Sequence, residues 1–304
     1  MLTFRRKCDR IYIFPQERRL ILKRISPTSD LAIKKVLSSE ENKDILGGLI
    51  NDFFGIVAED ITIINPYSID VCREFKDSED INVLRQTFRD ITASFKTADF
   101  VSELQIRKTQ YFDERSLFYP FKRFCDNYNI AERMEIGSDG KPDRFSSLRP
   151  VYALNILGYK HFYDDDSFRV FELYDPKRNK RFNKKLLRIG FFELRKTNIE
   201  TENQQHWHDY FTLGAVKPEA PYYIKKASEI IEYTNLGEEE RNVAEAFEKA
   251  QAIIDSELVS SFIEGKTEGK IETAIFMLKD GDKPEKVARC TGLPLEQIYQ
   301  LQPI

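Results

Sequence analysis

Three polar side chains interrupt two short apolar segments near the middle of the chain. Asp90 lies in LRQTFRDITASF, and Glu103 and Gln105 lie in the following segment, ADFVSELQI. A charge inside a buried strand is costly unless a partner compensates it. Alternate residues of a strand share a face, so we expect Glu103 and Gln105 to project together, with Arg107 on the same side.

A pair of neighbouring carboxylates can bind a divalent cation. The short Lys96–Thr97 connection predicts an antiparallel pair of strands, and this arrangement brings Asp90 beside Glu103. Two close carboxylates repel each other unless a cation lies between them. Mg²⁺ accepts one or two carboxylates, several waters and substrate phosphate oxygens. The pattern therefore predicts a Mg²⁺ or Mn²⁺ site suited to phosphodiester hydrolysis, and an exposed hairpin with ordinary carboxylates is the alternative.

Helices and strands alternate around these residues. SPTSDLAIKKVL predicts a helix capped by Thr28 or Ser29, and EDITIINPYSIDV predicts a strand that stops near Pro66. A further helix is predicted over residues 111–128, with Pro120 starting or kinking its second half. VYALNILGY is typical of a strand that is buried on both faces, and two more strand candidates flank a basic loop. This order of elements indicates an α/β fold.

Basic residues are concentrated in two segments, although the net charge is only −3. Residues 1–25 predict a basic N-terminal arm, and KRNKRFNKKLLR at 177–188 contains no acid. Such segments suit contacts with a polyanion, and a solvated surface is the alternative. The residues that we expect to contact nucleic-acid phosphates are Arg107, Arg115, Lys122, Lys177, Arg178, Lys180, Arg181, Lys184 and Lys185.

The character of the sequence changes near residue 221. From there the chain has helical periodicity and is mostly acidic, which predicts a helical C-terminal extension over 221–304. Its last part, KPEKVARCTGLPLEQIYQL, predicts two short helices around a TGL turn, similar to a helix-turn-helix. Residues 279–304 have as many acids as bases, so packing or self-association into a homo-oligomer is an alternative to DNA binding.

Two classes of protein are disfavoured by composition. No apolar run approaches the roughly 20 residues of a membrane span. The four cysteines lie far apart and without CxxC spacing, which disfavours a zinc site or a disulfide framework. Reduced thiols in a cytoplasmic protein are the simplest expectation.

Several blocks of the chain resemble, in order, those of the PD-(D/E)xK nuclease superfamily, and specifically the Rpn-type recombination-promoting nucleases that are labelled transposases. The blocks are SPTSDLAIKKVL with ENKDILGGLIN, RDITASF, DFVSELQIRKTQYFDERSLFYPF, VYALNILGYKHF and FFELRK. The resemblance implies a restriction-endonuclease-like domain over residues 26–220, with a mixed central sheet flanked by helices. It also implies Mg²⁺-dependent endonuclease activity on double-stranded DNA in recombination.

The resemblance also assigns roles to single residues. Asp90 matches the motif aspartate and Glu103 the second metal ligand, while Gln105 occupies the position where the wider superfamily has its lysine. Asp30 matches an acidic position that can approach the same metal. Because the lysine is missing, the alternative to an active nuclease is a DNA-binding or assembly protein that keeps the nuclease fold without turnover.

Overall fold

The computed structural model describes residues 24–67, 90–182 and 185–301. For Asp90 and for residues 250, 251, 254 and 255 it describes the backbone alone. Most of the predicted basic arm, the segment 68–89 and Lys184 lie outside the described residues. Within the described ranges, no helix combines the length and the hydropathy that crossing a membrane requires.

The predicted N-terminal helical pattern forms two helices, α1 (Asp30–Leu37) and α2 (Lys43–Phe54). Ser29 caps α1, because its hydroxyl accepts a hydrogen bond from the backbone N–H of Ala32 at 3.3 Å. Gly55 ends α2 with a φ of +67°, a left-handed conformation that suits glycine. The two helices form the first part of a helical layer.

The centre of the molecule is a six-stranded mixed sheet. From one edge to the other, its strands are β1 (Thr62–Ile63), β2 (Asp90–Phe95), β3 (Ala98–Gln105), β6 (Val151–Leu157), β10 (Leu187–Glu193) and β7 (Phe168–Glu172). Strands β3, β6 and β10 are parallel to one another, and the remaining pairs are antiparallel. Two small hairpins stand apart from this sheet: β4 (Glu135–Ile136) with β5 (Pro142–Asp143), and β8 (Tyr174–Asp175) with β9 (Lys180–Arg181).

The two faces of the sheet pack against different helices. On one face, the rings of Phe53 and Phe54 contact aromatic rings of the sheet at 4.8–6.3 Å, namely those of Phe100, Tyr152, Phe168 and Phe192. The other face carries Val101, Ala153 and Phe191 and is covered by α3 (Phe112–Asp126). Pro120 lies inside α3, which continues through it. Together with the helical C-terminal region, these layers confirm the predicted α/β class.

Helix α3 runs antiparallel to β3 and matches its repeat. Arg115 contacts Glu103, Tyr119 packs beside Val101, and Arg123 contacts Asp99. One helical step of four residues advances about 6 Å, and one strand step of two residues advances about 6.6 Å, so successive contacts stay in register. This match determines which helix residues can reach the polar residues of β3.

An ion pair fixes the far end of this helix–strand contact. The carboxylate of Asp99 is fully buried and accepts hydrogen bonds from Arg123 Nε and Asn127 Nδ2, both at 2.7 Å. Arg133 in turn donates to the side-chain oxygen of Asn127 at 2.7 Å. The buried charge is thus compensated by a cation and by a neutral donor.

The helices α4 (Glu202–Leu213) and α5 (Tyr222–Ile230) pack on the first helical layer. The carboxylate of Asp52 in α2 accepts hydrogen bonds from Trp207 Nε1 and the Tyr223 hydroxyl, both at 2.9 Å. A Cβ at Gly48 would lie 2.5 Å from the ring of Tyr223, so the close approach of α2 and α5 requires glycine there. Polar and steric constraints therefore act together at this crossing.

Contacts divide the chain into two units, Met1–Arg241 and Asn242–Ile304. The change in sequence character predicts a division between residues 220 and 221, whereas α5 lies beyond that point and packs against α1 and α2 of the first unit. The second unit contains most of α6 (Glu238–Lys279), with α7 (Pro284–Thr291) and α8 (Leu295–Gln300). Its core consists of Ala274, Val287, Leu293 and Ile298. The two predicted short helices are present, and a contact of theirs with DNA stays a prediction.

Replacement of Asp99 by alanine is expected to lower the free energy of unfolding by about 3–5 kcal/mol, because the partly buried Arg123 is then left without its compensating charge. Urea denaturation of both proteins measures the difference. Lys122→Ala is the control, since Lys122 forms an exposed 3.4 Å pair with Asp126 on the same helix and its loss is expected to change stability by no more than about 1 kcal/mol. Equal effects of the two substitutions would contradict the structural role of the Asp99 cluster.

Candidate functional site

The β2–β3 hairpin aligns the two acidic positions singled out in the sequence. Lys96 and Thr97 form its turn, and the register places Asp90 directly opposite Glu103. Residues that face each other across an antiparallel pair lie on the same side of the sheet. Positions 90 and 103 therefore share the face that α3 covers.

Glu103 and Gln105 are buried on that face, with 6% and 2% of their surface exposed. Arg115 of α3 contacts both: its Nη2 lies 2.6 Å from Oε1 of Glu103 and donates a hydrogen bond to Oε1 of Gln105. Gln105 donates through Nε2 to the backbone carbonyl of Arg107 at 2.6 Å. With a donor on one side and an acceptor on the other, the orientation of the Gln105 amide is fixed.

The guanidinium group of Arg115 has a further donor. Its Nε is buried and has no hydrogen-bond acceptor among the described residues. The side chain is 35% exposed, and its guanidinium carbon lies 5.9 Å from the centre of the Phe112 ring. Arg115 therefore lies at the margin of the site, between the buried acid and solvent.

Two uncharged polar residues from the neighbouring strand lie close to the acid. Asn155 of β6 is the register partner of Glu103, and its amide donates to the carbonyl of Gly190 at 3.2 Å. Tyr159 follows β6, and its buried hydroxyl has no hydrogen-bond partner in the described part of the chain. Burial, and next the negative charge of Glu103, raise the pKa of Tyr159 well above its ordinary value, so the hydroxyl stays protonated near neutral pH.

The loop after β6 is held by a buried ion pair. Glu193 accepts hydrogen bonds from the backbone N–H groups of His161 and Phe162 and lies 2.6 Å from Nζ of Lys196, with both side chains fully buried. His161 in turn places Nε2 2.8 Å from Asp113 of α3. Glu193 and Lys196, for which the sequence predicts no role, thus fix the loop that carries Tyr159 and His161.

The donor atoms at this end of β3 fit a hard divalent cation. Glu103 supplies a carboxylate, Gln105 an amide oxygen, and the aligned position 90 is an aspartate, so every donor is oxygen. No group of three His, Cys, Asp or Glu side chains that could hold a metal occurs among the described residues, a set that lacks the side chain of Asp90. A Mg²⁺ or Mn²⁺ site at Asp90 and Glu103 stays a prediction.

The third predicted acid belongs to a different layer. Asp30 is the first residue of α1, where a carboxylate interacts favourably with the helix dipole. Helix α1 packs against α2, and α2 covers the sheet face opposite α3. A role of Asp30 at the metal stays a prediction.

The basic residues predicted to contact nucleic acid fall into two groups. Arg107 and Arg115 lie near Gln105, and Lys122 is exposed on α3. The others lie in or beside the β8–β9 hairpin: Lys177, Arg178, Lys180, Arg181 and Lys185. Arg178 pairs with Asp175 at 2.9 Å and Arg181 with Glu172 at 3.2 Å, whereas no ion pair of the described residues involves Lys177, Lys180 or Lys185.

Sequence reasoning did not identify Asn155, Tyr159 or the Asp113–His161 contact as parts of the site. Asn155 is a polar residue inside an otherwise apolar strand, which is the same signal that singles out Glu103. Tyr159 and His161 follow that strand at the edge where Glu103 and Gln105 end β3, and the parallel pairing of β3 with β6 is needed to see this.

Comparison with known proteins gives a single finding. A family model described as PD-(D/E)XK nuclease family transposase matches residues 27–259. No curated protein and no solved structure gave a significant match.

Replacement of Tyr159 by phenylalanine is expected to leave the free energy of unfolding unchanged or to raise it by up to about 1 kcal/mol, because the lost hydroxyl is buried without a partner. Tyr223→Phe is the matched control: its hydroxyl donates to the carboxylate of Asp52, so its loss is expected to cost about 1.5–3 kcal/mol. Urea denaturation measures both. A comparable loss for Tyr159→Phe would mean that its hydroxyl is hydrogen-bonded in solution.

Proposed function

The chain belongs to the PD-(D/E)XK nuclease family transposases, and on that premise we propose that it is a metal-dependent endonuclease that hydrolyses phosphodiester bonds in DNA. The observation that carries the proposal is the register of the β2–β3 hairpin, in which Asp90 lies opposite Glu103, while Gln105 follows Glu103 by two residues on the same face of β3. Paired acids at the end of a strand, followed by a polar residue on the same face, suit this chemistry.

Asp90 and Glu103 would hold the cation, Mg²⁺ or Mn²⁺. When bound, the cation supplies positive charge that offsets the negative charge developing on the phosphate. Register partners of an antiparallel pair share a face, so positions 90 and 103 are placed where one cation could be held by both residues.

Gln105 has a positioning role in this proposal. Its amide is fixed by Arg107 and Arg115, so it can orient an attacking water or a phosphate oxygen but cannot accept a proton as a base would. In the reaction, the oxygen of water forms a bond to phosphorus and one P–O ester bond breaks. The water gives up a proton and the departing alkoxide takes one up, so that the two products are a phosphate monoester and an alcohol.

Double-stranded DNA is the substrate that this proposal implies, in recombination of transposon-like elements. Its phosphates would contact Arg107, Arg115 and Lys122 near the site, and the β8–β9 hairpin beyond it. Lys177 and Lys180 are exposed in that hairpin, and each cation that binds a phosphate releases a counterion. Association in this way is independent of DNA sequence.

A second candidate function is favoured by one observation. Gln105 replaces the superfamily lysine and carries no charge, so the site has no ammonium group at this position. A protein that binds DNA or takes part in assembly without cleaving would be consistent with that change. Salt-sensitive DNA binding without metal-dependent cleavage, and absence of Mn²⁺ binding in calorimetry, would select this candidate over the nuclease.

Asp90→Asn and Glu103→Gln are each expected to slow the nicking of supercoiled plasmid with Mg²⁺ or Mn²⁺ by at least about 10²-fold, because a charged ligand near the phosphate is lost. Gel electrophoresis of timed samples measures the rates. Glu59→Gln is the control, since Glu59 is exposed and pairs with Lys96 at the opposite end of the hairpin. Cleavage by both site variants at the rate of the unmodified protein would indicate a contaminant or another site.

Lys177→Gln and Lys180→Gln are each expected to make the slope of log K for duplex-DNA binding against log salt less negative by about 0.9, because one phosphate contact is lost. Fluorescence anisotropy with Ca²⁺ in place of Mg²⁺ measures binding without relying on cleavage. Lys217→Gln removes an exposed lysine elsewhere and is expected to leave the slope unchanged. Unchanged slopes for both hairpin variants would remove the hairpin from the DNA interface.

A further inference from the structure

We propose that Arg115 supplies, from helix α3, the positive charge that the superfamily lysine would supply at position 105, and that it competes with the divalent cation for Glu103. The inference rests on the proposed nuclease function and adds a residue role to it. Arg115 thereby gains two linked tasks: it neutralises Glu103 before the cation binds, and it contacts the phosphate afterwards.

The position of one Arg115 nitrogen shows that α3 brings a positive charge to the E-x-Q motif. Nη2 of Arg115 contacts Oε1 of both Glu103 and Gln105, so the cationic group lies between the two side chains of the E-x-Q motif. A lysine at position 105 would bring its charge to the same part of the site from the strand. Here the charge comes from the helix, because the repeat of α3 places residue 115 over this end of β3.

A donor of Arg115 that has no acceptor supports the proposed contact with a phosphate. Its Nε is buried and has no acceptor in the described part of the molecule, although buried donors are normally hydrogen-bonded. A guanidinium group presents several N–H donors in one plane, in a geometry that matches phosphate oxygens. Arg115 therefore acts by charge and hydrogen bonding and moves no proton.

Competition follows from the shared oxygen. A cation held by Glu103 would lie beside a guanidinium group that already occupies Oε1 of the same carboxylate. Like charges at such distances repel strongly in a partly buried site. Cation binding therefore loosens the Arg115–Glu103 contact and leaves the guanidinium group available for a phosphate.

Loss of Arg115 is expected to change the affinity for the cation and the rate of cleavage in opposite directions. Without Arg115, the cation binds more tightly because its competitor is gone, and cleavage slows because the phosphate loses a positive partner. A merely structural role for Arg115 would disorder the site and weaken both binding and cleavage. The signs of the two effects thus separate the proposal from a packing role.

The experiment compares the full-length protein with Arg115→Met, which keeps a long side chain over Phe112. Calorimetric titration with Mn²⁺ alone is expected to show about tenfold tighter binding, and plasmid cleavage is expected to slow by about 10²-fold. Lys96→Met removes the same charge at the other end of the hairpin, where Lys96 is 64% exposed, and is expected to change neither quantity. Unchanged or weaker Mn²⁺ binding by Arg115→Met overturns the proposal.

A charge-relocation variant provides the second test. Gln105→Lys in the Arg115→Met background returns a positively charged side chain to the strand, and it is expected to restore cleavage by at least about tenfold. Gln105→Lys alone places two positively charged side chains in the site, those of residues 105 and 115, and is expected to weaken Mn²⁺ binding by about tenfold. This variant tests the proposal even where Arg115→Met fails to fold. No rescue by the double variant, or unchanged Mn²⁺ binding by Gln105→Lys, overturns it.

The two proposals fail in different ways. The nuclease function fails if the unmodified protein shows no metal-dependent cleavage, or if Glu103→Gln leaves that cleavage unchanged. If it cleaves as proposed but Arg115→Met cleaves at the same rate, the nuclease function stands and the role of Arg115 is wrong. Circular dichroism of each variant confirms that the compared proteins are folded.

Discussion

The packing of helix α3 on the polar face of strand β3 is the constraint on which the site depends. Asp99 and Glu103 place two carboxylates on a buried strand, and each is compensated by an arginine from α3. Breaking a buried ion pair by removing one partner is far more costly than losing an exposed pair. The helix is therefore held over β3 at both ends, and its register is determined by charge as well as by apolar packing.

This constraint accounts for the electrostatics of the candidate site. A buried carboxylate without a compensating group carries negative charge that the interior of a protein tolerates poorly. Arg115 compensates Glu103, and the uncharged amide of Gln105 fixes the guanidinium group by accepting a hydrogen bond from it. The same group that stabilises the fold thereby adjoins the candidate site at the end of β3.

The parallel strands extend this organisation across the sheet. Because β3, β6 and β10 run in the same direction, the residues that follow them meet at one edge. The buried Glu193–Lys196 pair fixes the loop after β6, so that Tyr159 and His161 lie near Phe112 of α3. Polar groups that are remote in sequence thus surround one end of β3.

The sequence alone determined the central strands of the sheet and the positions of Asp90, Glu103 and Gln105 on them. The Lys96–Thr97 turn predicted the hairpin that aligns position 90 with Glu103, and the apolar run 151–157 predicted a doubly buried strand, because both signals are local. It could not determine that Arg115 faces Glu103, or that Tyr159 adjoins them. Those contacts depend on how α3 and β6 pack against β3, and packing joins residues whose separation in the chain carries no periodic signal.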